Sequence, residues 1–182
     1  MGFLSTIADF FKEETSPPPR EITLKDIDID YVVKYLMEPW IVKDTNLIFF
    51  GTTKVEEYIL EGETSNTLQL QYICSQDRWR TYETLPVAKA QFENISDIRE
   101  ELIKEKPPKK LNLNGVQYFL NETGPGKLNT SDLIYWEYID KDDTVFLRFE
   151  QYDEHDFSCL FGKDVDPLHF DIVGDSSSES ED

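Results

Sequence analysis

The sequence is poor in the residue types that most often carry chemistry. Among 182 residues there are two histidines and two cysteines. Cys74 and Cys159 fall at non-equivalent positions of a repeat described below, so they read as neither a disulfide framework nor a metal knuckle. Buried or idle thiols are expected. No uninterrupted apolar run approaches the roughly 20 residues of a membrane-spanning helix. The N-terminal stretch also lacks a basic region followed by an apolar run and a small-residue cleavage site. A cytoplasmic protein without a membrane span is the expectation. Basic residues are scarce as well: 18 Lys and Arg face 37 Asp and Glu, a net charge of -19. Residues 131–182 hold 16 acids against Lys141, Arg148 and Lys163. Such a field repels nucleic acid and anionic lipid over roughly 8 Å at physiological salt, and attracts basic proteins, metal cations or polyamines. Nucleic acid is excluded as an expected partner. An acidic surface that only keeps the protein soluble is the plainer alternative.

What is present in quantity is aromatic and alternating. Aromatic residues make up 13% of the chain, enough for a packed core and too many for a disordered one. The same passage occurs twice. Glu57, Tyr58, Ile59 returns as Glu137, Tyr138, Ile139, each followed by a polar turn and an alternating strand. Leu68 and Leu70 align with Leu147 and Phe149. An offset of 78 positions then pairs Trp79 with Phe157, Val87 with Val165, Ala90 with Leu168, Phe92 with Phe170 and Ile95 with Val173. The offset slips only in turns, where a true repeat tolerates insertion. Two unrelated segments sharing plain alternation are the competing explanation.

The pattern predicts an α+β, mostly β protein built from two related antiparallel β-meander units, tandem or pseudo-symmetric, with a few short helices. Residues 1–20 form an amphipathic helix and a Pro-rich spacer, 21–108 the first unit with flanking helices, 109–173 the second, and 174–182 a disordered acidic tail. In the first segment Phe3, Leu4, Ile7, Phe10 and Phe11 share one helical arc with Ala8, and Pro17 to Pro19 stop it. Its apolar face docks on the protein's own core or on a partner. A bilayer ranks third, because Lys12 is its only base beside Asp9, Glu13 and Glu14. A helix is expected over Asp26 to Glu38, stopped by Pro39, although Ile27, Ile29, Tyr31 would also alternate in a strand. Strands follow at 40–50, 54–60, 67–74 and 78–84, then a short helix capped by Ser96 with a Glu100 to Lys104 pair. In the second unit Val116 to Leu120 alternates, Gly124, Pro125, Gly126 form a loop, and strands run at 132–139, 145–152, 157–161 and 168–173.

No catalytic signature accompanies this pattern. His155 stands among Asp153, Glu154 and Asp156, but consecutive residues cannot all converge on one ion. His169 lies between Leu168 and Phe170 and points away from both. The Gly124 loop lacks the Lys and Ser or Thr of a phosphate loop. Neither cofactor nor metal is expected. Tyr58, Trp79, Trp136, Glu137 and Tyr138 are the candidates for an aromatic and acidic pocket suited to an organic cation, against the alternative that the rings fill the cores. Trp136 and Tyr138 share one strand face and Tyr135 and Glu137 the other, so Glu137 facing inward would be an uncommon buried acid.

Gly115 to Leu120, the strand Tyr135, Trp136, Glu137, Tyr138, and Phe161, Gly162 before a terminal apolar strand resemble a bacterial domain-of-unknown-function family, number 4178. The resemblance covers about residues 111–173, with a weaker copy over about 40–95 carried by Val55 to Leu60, Trp79, Thr81 and Tyr82. It implies a small β-rich domain, often tandem, encoded near phage-shock-type membrane proteins, small membrane proteins and spermidine-synthase-like enzymes. It transfers no activity. The expected function is that of a non-enzymatic interaction or accessory protein, tied to a membrane-associated system through its N-terminal helix. A binding module for polyamines or basic peptides is the alternative. An acidic DNA mimic is the third.

Overall fold

The computed structural model describes residues 22–86, 92–93, 95–104, 106–154 and 156–175. Among the described residues, β-branched and aromatic residues at alternating positions make twelve strands, all paired antiparallel. A first meander runs through β2 (Glu38–Phe50), β3 (Thr53–Gly62), β4 (Thr67–Ile73) and β5 (Arg78–Thr84). A second runs through β8 (Val116–Leu128), β9 (Ser131–Asp140), β10 (Val145–Gln151) and β11 (Phe157–Val165). Two cross-pairings join them: β5 lies against β11, with Tyr82 opposite Gly162, and β2 against β8, with Phe50 opposite Gly126. Eight strands therefore close on themselves in the order β2-β3-β4-β5-β11-β10-β9-β8.

The remaining strands extend the ring. β1 (Tyr31–Tyr35) pairs with β2 on one side and with β12 (Phe170–Asp175) on the other. β7 (Lys110–Leu113) pairs with β8, and β6 (Phe92–Glu93) with β7. The chain's last described strand thus returns to its first. Bulges lie between Val42 and Asp44 and between Leu120 and Glu122 in the two long strands; before them β2 has β1 and β8 has β7 as second neighbour, and after them β2 and β8 pair with each other.

Alternation sorts the side chains into an outer and an inner set. Outward residues of the first meander (Trp40, Val42, Tyr58, Leu60, Leu68, Leu70, Trp79) pack with Leu24, Ile27, Val33, Tyr35 and Phe170. Those of the second (Tyr118, Trp136, Tyr138, Leu147, Phe149, Cys159) pack with Leu111, Leu113, Phe92 and the two apolar residues of α1 (Ile98–Leu102). Inside the ring lie Ile48, Phe50, Val55, Ile73, Leu133 and Tyr135 in one cluster and Tyr82, Phe146 and Leu160 in another. Arg148 touches both, its guanidinium 4.3 Å from the Phe50 ring and 4.5 Å from the Tyr82 ring.

Several expectations are corrected. The helix over Asp26 to Glu38 does not form: one 3-10 turn, Leu24–Asp26, gives way to β1. Tyr31, Val32 and Val33 favour a strand, and two neighbouring strands bury Val33 and Tyr35. Pro39 stands inside β2, opposite Lys34 and one residue before pairing with β3 begins, so its missing N–H costs no ladder bond there. Gly124, Pro125 and Gly126 are part of β8 and form no loop. A Cβ on Gly126 would lie 2.8 Å from the Phe49 carbonyl oxygen, so glycine is what lets β2 close on β8. The short helix is capped by Asp97, which accepts from the Arg99 and Glu100 amides, and not by Ser96; Lys104 pairs with Glu101 at 2.6 Å. Register also changes the proposed alignment of the two meanders. Tyr58 faces Leu70 and Tyr138 faces Leu147, so Leu70 corresponds to Leu147 and not to Phe149.

Candidate functional site

The inward positions of five strands bring together a set of charged and polar groups that no local sequence pattern connects. Glu57 on β3, Gln71 on β4, Arg80 and Tyr82 on β5, Glu137 on β9, and Arg148 and Glu150 on β10 are all buried. Cross-strand register does the gathering: Glu57 is opposite Gln71, Gln71 opposite Arg80, and Glu137 opposite Arg148. Glu137 is the hub. Its Oε2 accepts from Arg148 Nη2 at 2.8 Å and from Arg80 Nη1 at 3.1 Å, and its Oε1 from Asn121 at 3.2 Å. Asn121 is the bulged residue of β8, which shows why the ladder is interrupted there. The Tyr82 hydroxyl accepts from Arg148 at 2.7 Å and from Arg80 at 3.3 Å. Gln71 accepts from Arg148 Nη1 at 2.8 Å and donates to Glu57 at 2.7 Å. Arg80 completes its set with Asp164 at 3.2 Å and lies 3.6 Å over the Phe146 ring.

Electrostatics separates Glu57 from Glu137. Burial works against the charge of Glu137, but Arg148 and Arg80 outweigh it and hold the carboxyl below its ordinary pKa. Glu57 has no arginine in hydrogen-bond contact. Burial, reinforced by Glu150, raises its pKa, and the Gln71 and Asn46 amides and the more distant charge of Arg148 offset that only in part. Arg148, 2% exposed, keeps its charge because Tyr82, Glu137 and Glu150 more than compensate its burial. The signs give a test. Glu57 retains its proton in the folded protein above the pH at which the unfolded chain releases it, so stability falls as pH rises from about 4.5 toward the folded pKa. In Glu57→Gln that decline is expected to flatten in denaturant melts between pH 4.5 and 7. An unchanged pH profile would mean that Glu57 is ionised throughout.

Among the described residues, clefts of different character open on the surface. One, of about 360 Å³, reaches Glu57 and is lined by Asp28, Asn46, Glu56, Tyr58 and Asn129, with no basic residue. A second, of about 410 Å³, lies beside the β1–β2 turn and includes Leu36, Trp40, Leu68, Glu83 and Lys163. A third, of about 320 Å³, is bordered by Leu85, Leu113, Val116, Tyr118 and Phe161.

The five residues expected to form one pocket do not share one. Tyr58 and Trp79 lie in the first outer core, with ring centroids 6.1 Å apart, and Trp136 and Tyr138 in the second. Glu137 faces the opposite way, into the ring. The helix residues Phe3, Leu4, Ile7, Phe10 and Phe11, and His155, lie outside the described residues. His169 is exposed, in a 3-10 turn before β12. Among the described residues no helix is long and apolar enough to cross a membrane, and no three His, Cys, Asp or Glu side chains are grouped to hold a metal ion. Sequence reading missed Arg80, Arg148, Gln71 and Glu150. Their one signal is position: each shares its strand face with a buried hydrophobic or aromatic residue, Gln71 with Ile73, Arg80 with Tyr82, and Arg148 and Glu150 with Phe146.

Neither a curated protein nor a solved structure matches the chain. A family model described as Domain of unknown function (DUF4178) matches residues 28–167, a span from just before β1 to just past β11 that includes the whole ring. It covers more of the chain than the segments that first suggested it. The chain belongs to the DUF4178 family.

Proposed function

We propose that the protein is a non-enzymatic interaction protein that works by docking on a basic or membrane-associated protein partner in the cytoplasm of a bacterium. One observation carries this reading. The ionisable groups that the fold gathers are inside the ring and spend their hydrogen bonds on one another, whereas solvent meets a strongly acidic surface. A reacting substrate would have to open the ring to reach them. An acidic surface recognises a partner without any opening.

Two related β-units are part of the proposal. Its support is the repeated Glu-Tyr-Ile in β3 and β9, the bulges in β2 and β8, and the two cross-pairings, each setting a glycine against an aromatic residue. Full-length protein purified from its host under native conditions is expected to retain a partner that 0.5 M salt releases, and a version lacking Met1 to Thr15 to retain less of it. Recovery of the full-length protein alone would count against the reading. The acidic cleft above Glu57 favours a second reading, a module for organic cations. Stabilisation by spermidine beyond that of equal ionic strength, lost in Glu57→Gln, would support it.

A further inference from the structure

The β1–β2 and β7–β8 connections are the same two-residue hairpin turn built from opposite chemistries. In the second, Asn114 and Gly115 have φ of 52° and 77°. Both tolerate the left-handed region, so Asn-Gly is what this turn prefers. In the first, Leu36 and Met37 have φ of 52° and 70°. Neither residue is suited to that region, and both are in water, 65% and 91% exposed. The sequence accepts backbone strain and apolar exposure at one point while its second hairpin avoids both. Pairing of Tyr35 with Phe170 carries the 3-10 turn Pro167–His169 alongside, and there Leu168 is 85% exposed. Three large exposed apolar side chains thus lie within two residues of the Tyr35–Phe170 pair, on a chain of high negative charge.

Their surroundings indicate what they meet. Leu36 borders the 410 Å³ cleft, and so does Trp40, whose indole N–H is buried without a hydrogen-bond partner among the described residues. Around the knuckle stand the exposed acids Glu38, Glu83, Asp166 and Asp171, against Lys34 and Lys163. A second copy of so acidic a chain would be repelled, as would an anionic bilayer. We propose that Leu36, Met37 and Leu168 form the docking knuckle of this protein, and that they insert into an apolar pocket rimmed by Lys or Arg on a partner protein. The inference rests on the interaction reading above and adds where the contact is made.

The test uses the full chain in its host, with a photo-crosslinking residue at position 37 and, as control, at position 114. The expected result is a crosslink from 37 and not from 114 to one partner protein. With that partner purified, Leu36→Asn/Met37→Gly should weaken binding at least tenfold while melting about 2–6 °C higher, since it installs the preferred turn. Salt should weaken the wild-type complex further. Because the variant is stabilised, lost binding cannot be ascribed to misfolding. A partner bound equally by the variant overturns the knuckle and leaves the interaction reading standing. A crosslink confined to lipid, to the chain itself or to a second copy overturns the choice of occupant. No partner with either protein overturns both.

Discussion

Replacing Gly162 with alanine is expected to cost about 3 kcal/mol, lowering the melting temperature by about 6–12 °C for a domain of this size. The reason is the seam where β5 meets β11. A Cβ on Gly162 would sit 2.3 Å from both Cδ1 and Cε1 of Tyr82. That ring is wholly buried, and its hydroxyl is fixed by Arg148 at 2.7 Å and Arg80 at 3.3 Å. It cannot withdraw without breaking both contacts. Moving β11 instead would part the seam that closes the ring. Gly124→Ala is the control, because its nearest neighbour across the strand would be Tyr135 at 3.9 Å, an ordinary contact. Guanidinium melts should show a large fall in midpoint for the first and a change below about 1 kcal/mol for the second. Equal effects would mean that generic loss of glycine, and not the tyrosine, sets the cost.

Glu137→Leu is expected to be at least as damaging, by about 3–5 kcal/mol, because removing one member of a buried ionic set leaves its partners uncompensated. Here there are two such partners. Arg148 and Arg80 both donate to one oxygen, Oε2, and Arg148 has little else to turn to beyond Gln71, Tyr82 and a Glu150 oxygen 3.9 Å away. The double variant Glu137→Leu/Arg148→Met should recover part of the loss, since a buried pair replaced whole costs much less than a pair broken. Acid supplies the second readout. The carboxyl of Glu137 is held low by its arginines, so the stability it contributes is present above about pH 4.5 and disappears as pH falls through the folded pKa. That acid-side loss should be smaller in Glu137→Leu. A cost under 1 kcal/mol with an unaltered acid limb would show that the arginines reach water in the native state.

The strands were legible because their side-chain period is local. Alternation and turn residues place β2 to β5 within a residue or two of their observed limits. The opposite facing of Trp136 and Glu137 follows from the same period, and the inward acid is found where that period puts it. What was not legible depends on partners distant in sequence. Tyr31 to Tyr35 could be helix or strand until β12, more than 130 positions on, came to pair with it. Gly124 to Gly126 resembles a loop because the need for glycine comes from Phe49 on another strand. Arg80 and Arg148 look like ordinary surface residues of amphipathic strands; only the closing of β5 on β11 and β2 on β8 turns their side of the sheet inward. The five residues do not form one pocket for a related reason: the rings pack into two different clusters, Tyr58 and Trp79 in one and Trp136 and Tyr138 in the other.

On the proposed reading the inner charges are a frame and recognition takes place on the surface, at the β1–β2 knuckle. Hydrogen–deuterium exchange of the full-length protein, free and in complex with the partner captured from position 37, tests this most directly. The expected result is new protection confined to residues 35–38 and 166–170, with the exchange of β3, β9 and β10 unchanged. Protection centred on Glu57, Glu137 or Arg148, with the knuckle still exchanging freely, would contradict it and place the working site inside the ring.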